Sequence, residues 1–459
     1  MFSIEAKTRP SFVEALFIVL IVIFSISISI GKFGATPHIP IVCSIMLLLF
    51  YGLLKRIPFK KLEESMLAGA QAGIGAIYIF LLIGILISSW IVGGTIPTLL
   101  YMGLSIVGAS FFYTIVFVTT AIIGTAIGSS LTTVATLGLA FISIAGAIDA
   151  SLALTAGAIV SGAFFGDKMS PLSDTTNLAA SIVGIDLFDH IKNMSWTTIP
   201  AFFISAILYS VLSPSIQTLD TDVITSYKDM LIKLQMVHWY AIIPLIVLIV
   251  CTLFKVPAFL TLTVSSIVAL ALSTLHMSLS LPEYFSILYD GYVAKTGVEV
   301  IDSLLTRGGI SSMFFTIMLV LLSLSMGGLL FALGIVQALL AKVEELLSSI
   351  GSLITGTAFT AIGINLLVGE QYLSILLTGE AFKSKYDEMG LQPKSLSRVM
   401  EDAGTVINPL VPWSVCGLFI TSMLKVPVLD YLPFAFFCLL SPILTILFGW
   451  LNVTIAKKA

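Results

Sequence analysis

Charge is scarce in this chain. Only 10% of its 459 residues are Asp, Glu, Lys or Arg, against 58% hydrophobic, and the mean hydropathy is +1.09. A soluble domain carries about 25% charged residues, so water is excluded as the solvent of most of this surface. The formal net charge of −3 excludes a strongly basic nucleic-acid binder. There are four cysteines, Cys43, Cys251, Cys416 and Cys438, each alone in an apolar stretch without metal-ligand spacing. The four histidines, His38, His190, His238 and His276, form no ligand pattern either and read as interfacial. No Gly-x-x-x-x-Gly-Lys-Ser/Thr loop is present, which argues against direct ATP use.

What the chain has instead is long apolar runs, at 12–30, 240–254 and 313–333. Runs near 20 residues match a hydrocarbon core of about 30 Å, and helices rather than a barrel fit their continuous hydrophobicity. Helices are expected near 12–31, 38–54, 66–92, 97–119, 131–147, 151–165, 175–185, 195–213, 236–254, 257–275, 311–335, 346–369, 400–424 and 431–452. Lys7 and Arg9 precede the first run as in a signal peptide, but its length reads as a retained transmembrane helix. Lys55, Arg56, Lys60 and Lys61 mark a cytoplasmic loop, and Lys457 and Lys458 a cytoplasmic C-terminus. Residues 214–235, with Asp220, Asp222 and Asp229, read as a polar linker outside.

This divides the chain into a first transmembrane repeat (1–213), the linker and a second repeat (236–459). Thr125-Ala126-Ile127-Gly128 recurs as Thr360-Ala361-Ile362-Gly363, and Asp167 precedes Asp402 by the same 235 residues. Val92-Gly93-Gly94 recurs as Met326-Gly327-Gly328 at 234. With the N-terminus inside and the linker outside, each half crosses an odd number of times and the halves are inverted. The expected fold class is an all-α polytopic membrane protein of two inverted-topology repeats with re-entrant hairpins and broken helices. Chance similarity among apolar helices remains the alternative.

The densest chemistry runs from Gly166 to Asn177. Pro171 breaks an apolar helix, and Asp167, Ser173, Asp174, Thr175, Thr176 and Asn177 gather hydroxyl, amide and carboxylate groups around it. Sodium, a hard cation, takes several oxygen ligands, and carbonyls freed at a broken helix add more. Carboxylates at membrane depth mark an ion path by default. Asp167, Asp174, Thr175 and Asn177 are the expected Na⁺ ligands; a polar loop at the membrane surface, with Lys168 pairing an aspartate, is the plainer alternative. The second half offers Asp402 and Asn408 before Pro409 and Pro412, with Arg398 as a neutralising neighbour of Asp402. Ser129, Ser130 and Thr133 after the repeated tetrapeptide, and Asn365 and Glu370 after its copy, are further candidate ligands, or ordinary interhelical hydrogen-bonding groups. Glu370, in a mostly apolar run, suits a carboxylate that holds a proton or a sodium ion in turn. Asp149 reads as a loop residue.

The run Gly162-Ala163-Phe164-Phe165-Gly166-Asp167-Lys168-Met169-Ser170-Pro171-Leu172-Ser173-Asp174-Thr175-Thr176-Asn177-Leu178-Ala179 resembles the signature of NhaC-type sodium/proton antiporters. Leu304 to Met313, and Glu401 to Gly404 with Pro412-Trp413, resemble other stretches of that family. The resemblance implies a non-enzymatic secondary antiporter of a bacterial cytoplasmic membrane, without cofactor, with Na⁺ and H⁺ as transported ions. It also implies relatives that exchange malate for lactate or move amino acids with the same ions, for which Arg307 is a candidate anionic-substrate contact and a helix-end arginine the duller reading. The expected partners are the lipid bilayer, Na⁺, H⁺ and a small organic acid or amino acid, with a homodimer left open and nucleic acid not expected.

Overall fold

The computed structural model describes residues 6–458 except 72, 107–110, 149, 214–227, 255, 296–301, 303–304 and 346. Asp149 and most of the expected linker, including Asp220 and Asp222, thus lie outside the described residues; residues 228–233 of the linker are helical. The described residues are mainly helical, and their only β-type pairing is two isolated bridges, Tyr292 with Arg307 and Leu391 with Lys457.

The first half runs through α1 (Phe12–Gly31), α2 (His38–Leu54), α3 (Phe59–Gln71), α4 (Ile74–Val92), α5 (Thr95–Ile106), α6 (Phe112–Ile127), α7 (Ser130–Thr133), α8 (Leu139–Ala147), α9 (Leu152–Met169), α10 (Asp174–Val183) and α11 (Leu187–Leu212). The second runs through α12 (Ile243–Leu253), α13 (Ala258–Ser273), α14 (Leu281–Asp290), α15 (Phe314–Ala332), α16 (Ile335–Glu345), α17 (Ile350–Val368), α18 (Gln371–Glu388), α19 (Pro393–Met400), α20 (Val415–Leu424), α21 (Val428–Tyr431) and α22 (Phe436–Leu451). Among the described residues Phe12–Ile30, α11, Ile310–Ala332 and α17 are each long and apolar enough to cross a membrane, and two bent pairs, α19 onward with α20 and α21 with α22, have the length and hydropathy of a broken span or a re-entrant loop.

The solvent logic is inverted. On α11 the exposed residues Phe203, Ile207 and Val211 recur every four positions, while Thr197, Thr198 and Ser205 face inward. An apolar outer stripe over a hydroxyl-lined inner face is stable in lipid, where polar groups must find protein partners. Small residues allow the inner helices to approach closely. Gly166 of α9 lies against Gly124 of α6, and Gly69 of α3 against Gly328 of α15. The α3–α15 contact joins the two halves, as does the bond from Trp90 Nε1 to Ser265 Oγ at 3.0 Å.

Three sequence expectations change. The 66–92 run divides between α3 and α4, with Gly73 capping the second, and 97–119 divides between α5 and α6. α18 has no counterpart among the expected helices: it carries Glu380, Lys383, Lys385, Asp387 and Glu388, so a hydropathy search passes over it. The third is the spacing at which backbone features recur between the two halves. Gly128 closes α6 in the left-handed region (φ 72), and Gly369 closes α17 in the same way (φ 72). Ser173 caps α10 and Ser414 caps α20, Pro171 and Pro412 break the chain before each, and Gly184 and Lys425 end the two helices left-handed. Each pair is 241 residues apart (369 − 128, 414 − 173, 412 − 171, 425 − 184). Gly363, the expected mate of Gly128, sits within α17. At this spacing of 241 Asp167 falls opposite Asn408, whereas the tetrapeptide spacing of 235 sets it opposite Asp402.

Candidate ion site

α9 ends at Met169 because Pro171 cannot continue it and Ser170 turns extended (ψ 129). The chain restarts as α10 four residues later, with the Ser173 hydroxyl accepting from Thr176 N. Thr176 Oγ1 donates back to the carbonyls of Asp167 (3.3 Å) and Lys168 (3.2 Å), satisfying acceptors that a helix C-terminus leaves open. Asn177 Nδ2 donates to the carbonyls of Pro171 (3.0 Å) and Ser173 (2.7 Å). Ser173, Thr176 and the amide nitrogen of Asn177 thus hold the break together.

What remains faces a cavity of about 380 Å³. Asp167, Asp174, Thr175 and Asn177 line it, with Ser129, Ser130 and Thr132 from the turn after α6. Thr261, Gln371 and Tyr372 close it from the second half. Asp167 is 5% exposed, and its Oδ2 accepts from Ser130 Oγ at 2.7 Å. Asp174 is exposed within this wall. Ser129 caps α7, accepting from Thr132 Oγ1 at 3.0 Å, and its carbonyl accepts from Thr133 Oγ1 at 2.8 Å. Gln371 Oε1 is buried without a hydrogen-bond partner. The arrangement supplies two carboxylates, hydroxyls and amide oxygens around one space, a donor set that matches a hard monovalent cation. Among the described residues no three His, Cys, Asp or Glu side chains converge as a metal centre.

Five further candidates lie elsewhere. Asn365 and Asn408 meet each other: Asn408 Nδ2 donates to Asn365 Oδ1 (2.7 Å), Asn365 Nδ2 donates to Gly404 O (2.6 Å), and Asn408 Oδ1 accepts from Cys416 N (3.0 Å). Both are buried and tie the second helix break to α17. Glu370 is the N-cap of α18, accepting from Leu373 N at 2.8 Å, one residue before the cavity wall at Gln371. Asp402 is fully buried behind the cavity. Lys168 forms an ion pair with it, Thr197 Oγ1 donates at 2.8 Å and Ser441 Oγ at 3.0 Å. Its neutralising cation is therefore Lys168, whereas Arg398 Nη1 donates to Thr454 O at 3.0 Å. Arg307 lies on a separate cavity.

One residue of this region was not among the expected ligands. Glu401 is completely buried, and neither carboxylate oxygen has a hydrogen-bond partner. It opens a π-helical turn, Glu401–Thr405, a geometry frequent at functional sites. Its signal in the sequence was a second carboxylate beside Asp402 in an apolar stretch.

A polytopic helical bundle that gathers carboxylates at a broken helix around a two-sided cavity defines the class of membrane transport proteins. The Na⁺/H⁺ antiporter family profile matches residues 162–453. The chain is 40% identical over 455 residues to the Na(+)/H(+) antiporter NhaC of Alkalihalophilus pseudofirmus, covering 99% of this chain and 98% of that one. It is 34% identical to the arginine/ornithine antiporter ArcD of Halobacterium salinarum (97% and 93% covered). To the malate-2H(+)/Na(+)-lactate antiporter of Bacillus subtilis it is 33% identical (85% and 84% covered). The chain belongs to the Na⁺/H⁺ antiporter family.

Proposed function

We propose that this chain is a secondary antiporter that exchanges Na⁺ for H⁺ across a bacterial cytoplasmic membrane, with both ions competing for the Asp167–Asp174 cavity. The observation that carries this reading is the pair of carboxylates lining one cavity at the α9–α10 break, with walls from both halves of the chain. Asp167, Asp174, Thr175, Asn177 and Ser129 supply the oxygens for Na⁺. Protonation of the same carboxylates removes the charge that holds the cation, so one occupant excludes the other and no ATP is needed. Movement of the two halves as inverted repeats, with both termini cytoplasmic, would expose the cavity to one side at a time. Family membership and the 40% identity to a named Na⁺/H⁺ antiporter support the ion pair.

The test is proton movement in proteoliposomes loaded with a pH-sensitive dye and challenged with a sodium gradient. Asp174→Asn should abolish sodium-dependent proton flux while the purified variant stays monodisperse; full flux in that variant removes the site. A second reading, exchange coupled to an organic acid or amino acid, draws on the names of two relatives and on Arg307.

A further inference from the structure

We propose that Glu401 is a second proton-carrying group, set apart from the ion cavity and coupled to it by charge. The inference rests on the antiport reading and adds one proton to the cycle. Asp167 and Lys168 are neighbours in the last turn of α9, and Glu401 and Asp402 are neighbours in the π-helical turn. Lys168 is committed to Asp402 and to Ser441. That ion pair neutralises itself. Two buried acids are left over, Asp167 on the cavity wall and Glu401 outside it.

No structural duty accounts for Glu401. It is 0% exposed, and among the described residues neither of its oxygens has a hydrogen-bond partner. A buried carboxylate without a partner is costly, so in this conformation the group is the neutral acid. Methionine would fill similar space without that cost, so the acid serves something other than stability. The backbone is irregular at the same place. Asn365 anchors the π-helical turn by donating to Gly404 O at 2.6 Å. α18 packs along it, because a Cβ on Gly404 would meet Ser374 Oγ at 3.3 Å and one on Gly379 would meet Met400 Cε at 2.9 Å. Thr378, between Ser374 and Gly379 on α18, and Thr405, on the turn itself, are fully buried with hydroxyls that lack partners. A hydroxyl both donates and accepts, so it can serve the acid and the carboxylate alike.

The elements around the turn bring few titratable groups. α9 brings Asp167 and Lys168, α10 Asp174, α19 Arg398 and α22 Cys438, while α17 brings none. α18 brings Tyr372 and Tyr386, and the other charged residues of α18 and α19, from Glu380 to Lys394, are at least partly exposed. Asp167, Lys168 and Asp402 act on Glu401 electrostatically. With Lys168 and Asp402 paired, Asp167 is the variable charge. An ionised, empty Asp167 opposes a second carboxylate nearby, and Glu401 keeps its proton. A sodium ion on Asp167 removes that opposition. The Glu401 O–H bond then breaks, its electron pair stays on the carboxylate, and the proton leaves to the side that the cavity faces. One sodium ion bound thus discharges Glu401 as well as the cavity.

The experiment compares the purified full chain with its Glu401→Gln and Glu401→Asp variants in proteoliposomes whose membrane potential is clamped at zero. The number of protons moved per sodium ion is read from the proton gradient that just halts net flux against a fixed sodium gradient. Exchange of labelled for unlabelled sodium reads the ion cavity alone. Glu401→Gln should keep sodium exchange and lose one proton from the ratio; where the wild-type ratio is one, sodium-driven proton flux disappears while sodium exchange persists. Glu401→Asp, which keeps a titratable group, should restore the wild-type ratio. Glu401→Met, uncharged and of similar length, takes the place of the glutamine variant if that one is poorly folded, and should lose the same proton. An unchanged ratio in the uncharged variant overturns the proposal. So does loss of sodium exchange in both the uncharged and the aspartate variant at unchanged melting temperature, which would put Glu401 in the sodium site itself. Failure of the antiport reading shows elsewhere, in a wild type without sodium-dependent proton flux or in an Asp174→Asn variant that keeps it.

Discussion

Lys168 and Asp402 form a fully buried ion pair that joins the last turn of α9 to the π-helical turn before the second chain break. The pair is shared with Ser441, whose hydroxyl accepts from Lys168 Nζ at 2.9 Å, and the Phe437 ring lies 5.7 Å from the ammonium. Removing one partner leaves the other charge buried and uncompensated, which costs about 3–5 kcal/mol. Lys168→Met and Asp402→Asn should each lower thermal stability strongly in detergent. The Lys168→Met, Asp402→Asn double variant should be much less destabilised than the sum of these two singles; additive losses would show that the two side chains do not interact.

Glu401 should behave in the opposite way to its neighbour. It is as buried as Asp402, yet its carboxylate has no hydrogen bond to lose. Glu401→Gln should therefore leave the melting temperature unchanged or raise it, while Asp402→Asn lowers it. A large loss of stability in Glu401→Gln would mean that the carboxylate has a partner in the protein.

Ser130 holds Asp167 in orientation through a 2.7 Å hydrogen bond. A bond to a charged group contributes about 1.5–3 kcal/mol. Ser130→Ala should shift the sodium concentration for half-maximal exchange, whereas Ser130→Thr, which keeps the hydroxyl, should restore it. Equal effects of both substitutions would point to packing instead of hydrogen bonding.

Gly128 closes α6 at φ 72 beside the cavity, and a Cβ there meets Leu172 at 2.7 Å and Ser170 Oγ at 2.8 Å. The left-handed conformation alone costs an alanine about 1–2 kcal/mol, and the contacts press on the α9–α10 break. Gly128→Ala should lower both thermal stability and exchange rate. By contrast Gly363, with open space around its Cα, should accept alanine with little change.

Much of the candidate cavity was legible because its parts are neighbours in the chain. Asp167, Asp174, Thr175 and Asn177 surround one proline, and both carboxylates do line the cavity. The cap roles of Ser173 and Thr176 were not separable from ligand roles by residue type, since the same hydroxyl serves either purpose. Asn365 and Asn408 are hydrogen-bonded to each other across 43 residues, a pairing that residue type does not reveal. Gln371, Tyr372 and Thr261 complete the cavity from far along the chain, and no local pattern announces them.

By itself the sequence determined that this is a helical membrane protein with carboxylates at an interrupted helix, because hydropathy, proline and glycine act on the backbone locally. Only the tertiary structure decided which charges are spent on each other: Asp402 meets Lys168 across 234 residues, and among the described residues Arg307 has no ion-pair partner. It also shows helix ends and breaks recurring 241 residues apart. Short apolar tetrapeptides recur through composition, whereas left-handed helix ends and proline breaks recur where the chain must turn, and those conformations exist only in the folded backbone.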